Sequence, residues 1–245
     1  MDLPIYFISD NHFLLEKSQL EDERRRKLFD LFEHISETGG TLIIGGDFFD
    51  FWLQSIVSTP QYYNDLLSSL KKLHSQNINI HYVMGNHDYW DFGALTKQCG
   101  CTIYKTDFEF NVDGQKIVVT HGDGILKNDS MYRLMKKIIR SNLFILLVRL
   151  IPISIMTKIA RKISGTKKKF NENYPGLKKE YKNELEEFAF NKMNDENIDV
   201  LLMGHYHEIG IYKKQKKQFI HLGDWIKQYT VTTLDQNGIW KQKKW

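Results

Sequence analysis

The chain has 245 residues, 42% of them hydrophobic and 13% aromatic, enough for one packed α/β domain or two small ones and incompatible with a disordered chain. Its two cysteines, Cys99 and Cys101, are too close for an easy disulfide and too few for a zinc site, which predicts reduced thiols in a cytosolic protein. The net charge of +4 is unevenly spread: 12 of the 34 basic residues but only one acid, Asp129, fall between Ile125 and Lys169, so an acidic body carries a segment suited to anions. The opening residues, MDLPIYFISD, lack a basic leader, a long apolar stretch and a cleavage site, and no secretory signal is expected. In chain order, the short runs IYFIS, TLIIG, IHYVM, KIVVT, VLLMG and KQFIHL are rich in Val, Ile, Leu or aromatic residues and predict strands. Helical stretches lie between the first three, at about Glu21–Glu37 and Gln61–Ser75. The run TDFEFNVDGQKIVVT predicts a β-hairpin turning at Asp113-Gly114. This alternation, with no repeat of fixed period, predicts an α/β layered domain. The long helical segment 125–194 breaks the pattern and is expected to be a lid inserted in a single domain, whose core is 1–124 and 195–245.

Five of the strands are followed by metal-binding chemistry. After the first come Asp10-Asn11-His12, and after the second Gly46-Asp47-Phe48-Phe49-Asp50. The others lead into Gly85-Asn86-His87-Asp88, His121-Gly122-Asp123 and Gly204-His205-Tyr206-His207. In open α/β sheets the carboxyl ends of strands converge on one crevice, where ligands bind. Convergent Asp, Asn and His donors suit Mn²⁺, Fe²⁺ or Zn²⁺ and are too rich in histidine for a dedicated Mg²⁺ or Ca²⁺ site. Asp10 and His12, two apart in an extended segment, are expected to project to one side, and His205 and His207 likewise. The glycines before Asp47, Asn86 and His205 leave room for the backbone to turn, and the two oxygens of Asp47 can bridge two cations. Two ions about 3.5–4 Å apart stabilise both the attacking and leaving oxygens of an in-line displacement at phosphorus. A single Asp-x-His is ordinarily a turn with a surface histidine. His34, His74 and His81, outside the motifs, are read that way or as core residues.

The ordered set Asp-x-His, Gly-Asp-x-x-Asp, Gly-Asn-His-Asp, His-Gly-Asp and Gly-His-x-His, spanning positions 10 to 207, resembles the calcineurin-like metallophosphoesterase family. The resemblance implies a two-layered β-sandwich flanked by helices, with two divalent transition-metal ions, Mn²⁺ first in expectation, at the strand ends. One ion would take Asp10, His12, Asp47 and His207, and the other Asp47, Asn86, His121 and His205. His87 would stand beside the scissile phosphate as an acid, oriented by Asp88, and Asn86, His87 and His205 would also touch substrate. A histidine near anionic phosphate suits an acid role near neutral pH. A structural role for His87 is the alternative.

The basic segment points to the substrate. MYRLMKKIIR places Met131, Leu134, Met135, Ile138 and Ile139 on one helical face, with Arg133, Lys136, Lys137 and Arg140 largely on another. LFILLVRLIPISIM follows, interrupted by Arg149 and Pro152 and too short to span a bilayer. Such a helix lies at a membrane interface or covers an amphiphilic ligand, although a core-packed lid with a solvated basic face fits the same pattern. The run 143–156 is too apolar for a groove tracking nucleic-acid phosphates, and no nucleic acid is expected.

Within the metallophosphoesterases, the UDP-2,3-diacylglucosamine pyrophosphatases are similar over nearly the whole chain, in GGDFFDFW, HGDGILKNDSMYRLMKKIIR and HLGDW. That similarity implies cleavage of an amphiphilic nucleotide-sugar lipid to UMP and 2,3-diacylglucosamine 1-phosphate, at an anionic membrane surface on the cytoplasmic face of the inner membrane. Asp129 and Tyr132 would contact the glucosamine-phosphate part, though Asp129 could instead cap the following helix. Lys167, Lys168 and Lys169 are the candidate clasping residues of the lid. The better-known members carry Gly-Asn-Arg-Asp where this chain has His87. A related phosphoesterase acting on a soluble nucleotide or another phospholipid, or a binding module without chemistry, are the competing readings.

Overall fold

The computed structural model describes residues 1–54, 61–152, 155, 158 and 176–245, with Arg149 described in its backbone alone. Lys167, Lys168 and Lys169 lie outside the described residues. Strands β1 (Ile5–Ile8), β2 (Thr41–Ile44), β3 (Asn79–Val83) and β4 (Thr102–Tyr104) run parallel in one sheet. Helices α1 (Gln19–Thr38), α2 (Asn64–Ser75) and α3 (Ala94–Cys99) connect them. Ser18 starts α1, slightly earlier than the sequence suggests, by accepting the Glu21 amide.

The second sheet is entered through the hairpin β5 (Phe108–Val112) and β6 (Gln115–Thr120). Its two-residue turn has Asp113 at φ 51° and Gly114 at φ 76°, the left-handed pair that matches strand twist. After helices α4 (Ser130–Ile139) and α5 (Asn142–Arg149), helix α6 (Lys179–Asp195) returns the chain to β7 (Val200–Met203). Strands β8 (Ile209–Lys214) and β9 (Lys217–Leu222) complete this sheet, in the order β5-β6-β7-β9-β8. Then β10 (Thr230–Leu234) and β11 (Trp240–Lys244) return to the first sheet, whose order is β11-β10-β1-β2-β3-β4.

The strands that carry the site are buried on both faces, which is why their sequences are continuous apolar runs rather than alternating ones. Ile5, Phe7, Ile43 and Val83 meet Ile117, Val119, Val200, Leu202 and Ile220 between the sheets. Tyr6, Ile8, Leu42, Ile44, Ile80 and Tyr82 point the other way, under α1 to α3. On the far side, Val118, Leu201, Met203 and Phe219 receive Leu185, Ala189, Phe190 and Met193 of α6. The result is the expected two-layered sandwich with flanking helices. Helix α6 lies within the segment read from sequence as lid, yet it forms the outer layer of the second sheet. Because β1, β2 and β3 are parallel, and β6, β7 and β9 are parallel, each set delivers its carboxyl-end loops to one rim.

Candidate metal centre

All five motif loops meet at that rim. Asp47 Oδ2 lies 3.3 Å from His121 Nε2 and 3.7 Å from His12 Nε2, while its Oδ1 accepts the His87 amide at 2.8 Å. Asp10 Oδ1 is 3.8 Å from His12 Nε2 and 3.6 Å from His207 Nε2. His121 Nε2 is 3.2 Å from Asn86 Oδ1. Donor atoms of Asp10, His12 and His207 lie within 4.8 Å of one another, as do those of Asp47, His121 and His205, and those of His12, Asp47 and His87. Both expected ligand sets are therefore brought together, sharing Asp47 between them.

The backbone that does this is not extended, contrary to the sequence expectation. Asp10, His12, Asp47, His205 and His207 all have left-handed φ, at 53°, 44°, 52°, 68° and 55°. Such values are uncommon for residues with a Cβ and persist where the surroundings over-determine them, typically at functional sites. Here the Asp10 amide donates to Gly46 O at 3.0 Å and the His12 amide to Asp47 O at 2.9 Å, tying the first two loops together. Gly46 has room to turn at φ 103°. Gly85 has a different task, since a Cβ there would run into the Asp47 carboxylate and backbone.

Asp10, His12, Asp47 and His121 are buried. Burial drives the His12 imidazole down to about 3 and, joined by the nearby His121 charge, the His205 imidazole down to about 4. Burial alone would also lower His121, but Asp47, Asp10 and Asp123 outweigh it and raise it to about 10. Burial raises Asp47, yet His121, His87 and His12 hold its carboxyl well below the usual range. Asp10 Oδ1 and both ring nitrogens of His12 are buried with no hydrogen-bond partner among the described residues. Buried polar atoms are ordinarily satisfied, so this cluster of carboxylate and imidazole donors fits divalent cations of the borderline class.

Asp88 requires a correction. Its two oxygens accept the Phe48 amide at 2.9 Å, the Gly85 amide at 2.7 Å and the Tyr82 hydroxyl, so it ties the second loop to the third instead of orienting His87. The ring of His87 is set by the Asp50 carbonyl, 2.5 Å from Nδ1. A carbonyl only accepts, so Nδ1 carries hydrogen and Nε2 is the free end. Two acids without an assigned role in the sequence reading also act here. Asp50 Oδ1 is 3.9 Å from His12 Nδ1, and Asp224 Oδ2 is 3.5 Å from His207 Nδ1. Asp224 follows β9 in a Gly-Asp step like that of Gly46-Asp47, so the strand-end rule applied to a sixth strand would have found it.

The basic and apolar faces of α4 take opposite sides. In α4, Lys136 donates to Asp123 O and Oδ2 at 2.9 and 2.8 Å and Arg133 donates to the carbonyls of Gly124, Leu126 and Lys127, while Arg140, just past the helix, reaches Asp123 Oδ2 at 3.3 Å. These cations face the core, while Met131, Leu134, Met135 and Ile138 face solvent. In α4 this is the reverse of a core-packed helix with a solvated basic face. In α5, Val148 packs on Leu53 with Phe51, Trp90 and Phe144 around them, and Leu143, Leu146 and Leu147 are exposed. Tyr132 donates to Asp123 Oδ2 at 2.8 Å, its ring 6.2 Å from that of His205. The Asp129 side chain makes no capping bond to α4. A cleft of about 520 Å³ beside His121 is walled by Lys105, Lys136, Arg140 and Lys192.

Strand-end Asp, Asn and His gathered at the rim of a double β-sheet define a metal-dependent hydrolase. The profile of the calcineurin-like phosphoesterases matches residues 3–209; the chain belongs to that family and is a metal-dependent phosphoester hydrolase. Members of the family bind two divalent ions. The chain is 28% identical to a UDP-2,3-diacylglucosamine hydrolase of Pseudomonas fluorescens (strain Pf0-1), over 96% of this chain and 93% of that protein. It is 25% identical to a protein of the same name from Haemophilus influenzae (strain PittGG), over 95% of each. Among solved structures, a chain described as a novel archaeal phosphodiesterase is similar with a TM-score of 0.47 and 18% identity, over 98% of both chains.

Proposed function

We propose that the protein hydrolyses the pyrophosphate of UDP-2,3-diacylglucosamine, giving UMP and 2,3-diacylglucosamine 1-phosphate. The observation that carries this reading is the outward apolar surface of α4 and α5 beside the metal centre. A soluble nucleotide offers nothing to such a surface, whereas two acyl chains do. Relatives with matching names cover nearly the whole chain and support the same substrate.

Asp10, His12, Asp47 and His207 would hold one divalent ion, and Asp47, Asn86, His121 and His205 the other. Mn²⁺ is the proposed metal. When bound, the ions supply Lewis acidity for the phosphoryl oxygens and an activated water. The chain's own contribution starts with His87. With Nδ1–H donated to the Asp50 carbonyl, the doubly protonated ring would pass its Nε2 proton to the departing phosphate oxygen and be left neutral with hydrogen on Nδ1. Tyr132 and Asp129, at the mouth of the lid, orient the glucosamine phosphate. Asp88 keeps Asn86 and His87 in register with Asp47 by fixing the loop on both sides.

No helix of the described residues is long and apolar enough to cross a membrane. The proposed location is the cytoplasmic face of the inner membrane, held peripherally by the apolar lid with support from the lid's remaining cations. The test is release of UMP from UDP-2,3-diacylglucosamine by Mn²⁺-loaded protein, compared with a water-soluble phosphodiester. A kcat/KM for the lipid substrate no better than for the soluble one would sink the substrate assignment and leave the phosphoesterase chemistry standing.

A further inference from the structure

Arg24 is the largest buried charge outside the metal cluster, on the first turns of α1 and with no accessible surface. A guanidinium in that position needs a reason, because removing it from water costs several kcal/mol unless its donors are satisfied. Among the described contacts, most of its donors reach backbone carbonyls of two site loops. Nη2 donates to Asn11 O, Nη1 lies 3.4 Å from His12 O, and Nε is 3.2 Å from Trp225 O. One carboxylate, Glu21 Oε2, is paired with Nη1 at 2.5 Å. The contact is returned, since the Trp225 indole donates to the Arg24 carbonyl at 3.1 Å and the Trp225 amide to Asp10 O at 3.2 Å.

These loops carry one half of the metal centre. Asn11 lies between Asp10 and His12, both at left-handed φ, and Trp225 follows Asp224, whose carboxylate faces His207 Nδ1. We infer that Arg24 is a positioning residue for the ion assigned to Asp10, His12, Asp47 and His207, clamping the β1 and β9 loops so that Asp10, His12 and His207 converge. The planar fork suits this task in a way a lysine does not: it offers fixed, diverging donors to carbonyls on separate loops, where an ammonium offers a point charge. No hydrogen bond or ion pair runs from Arg24 to Asn86, His121 or His205 among the described contacts. The clamped segments are those that carry Asp10, His12 and Asp224, so the ion they hold should feel the loss most, while the His205 amide on Asp10 Oδ2 at 2.8 Å and the shared Asp47 pass a smaller part to the other.

The inference rests on the two-ion reading of the site, and titration of apo-protein with Mn²⁺ alone separates the two. Wild type should take up two ions per chain by calorimetry; failure to bind two would overturn the reading of the site and this inference with it. Given two sites in wild type, Arg24→Lys and Arg24→Met should weaken one about 10–100-fold, the scale seen when a group supporting a metal ligand is removed. The other should stay within about threefold. The paramagnetic resonance spectrum should change accordingly, a coupled two-Mn²⁺ signal giving way to that of a single ion at intermediate loading. Arg24→Lys, which keeps the charge and part of the volume, serves if Arg24→Met does not fold. An equal loss at both sites, or a fall in melting temperature with both affinities unchanged, would make Arg24 a structural residue only.

Discussion

Asp47 touches both halves of the centre: one oxygen faces His12 and His121, and the other holds the His87 amide. Asp47→Ala should therefore cut bound metal from two ions per chain towards none, read by elemental analysis, and abolish turnover. His87→Ala should keep both ions and lose about 10²–10⁴-fold in kcat, the scale of a general acid, with a smaller loss for a p-nitrophenyl ester whose leaving group needs no proton. An unchanged rate on the natural substrate would assign His87 a supporting role. Histidines outside the centre act on stability. Burial holds His221 down to about 4, with only partial opposition from Glu208. Between that value and the ordinary 6.5, the unfolded chain binds a proton that the folded chain excludes, so stability is lost as pH falls through the window. From pH 7 to pH 5 this amounts to about 2 kcal/mol. Urea unfolding of wild type should thus lose about that much more than His221→Leu over the same interval, with the shared contributions of other histidines cancelling. At this scale the sequence was informative about donors, since Asp, Asn and His behind apolar runs are readable from chemistry. It was silent about how they are held: left-handed φ, the Asp50 carbonyl on His87 and the fork of Arg24 all depend on loops far apart in the chain.

Among the elements, those with a clear apolar period were legible: α1, α2 and the six central strands. Strands β10 and β11 were not, because TVTTL and WKQKK have mixed polarity and take their conformation from pairing with β1 and with each other. Lysines on β11 suit an edge that must not recruit another chain. The amphipathicity of α4 was visible in MYRLMKKIIR, but its direction was not. What turns the cations inward is Asp123, two residues beyond His121, and no local pattern announces that partner. The orientation leads to a test. Leu146 and Leu147 are 57% and 55% exposed, so Leu146→Asp with Leu147→Asp should leave the fold intact. If they receive acyl chains, each methylene left in water costs about 0.8 kcal/mol, and kcat/KM for the diacyl substrate should fall by orders of magnitude. Hydrolysis of a soluble phosphodiester should barely change. Equal loss on both substrates would mean that α5 only supports the site, and a soluble-nucleotide enzyme would replace the lipid reading.

For the molecule as a whole, ions that bind only the folded chain add stability by mass action. At a free concentration 100 times Kd, each adds about 2.7 kcal/mol. For a chain of this size that is a rise in Tm on the order of 5–10 °C per site. Calorimetry with Mn²⁺ and then with excess chelator should show it, and the Asp47→Ala protein should show none. The layered architecture was legible from strand and helix alternation. The division of the chain was less so, because α6 belongs by composition to the polar, helical middle of the sequence and by its buried Leu185, Ala189 and Met193 to the sandwich. The apolar side chains that α4 and α5 hold out in water also govern colloidal behaviour. Met131, Leu134, Met135, Ile138, Leu143, Leu146, Leu147 and Leu150 are each 47–76% exposed on two successive helices, and large apolar side chains gathered in this way mark surfaces that associate. Without an amphiphile to cover them, copies should shield these faces against one another, so light scattering should climb with protein concentration. A non-ionic detergent should reverse the rise at once, while salt, which weakens charge pairing but strengthens apolar contact, should deepen it.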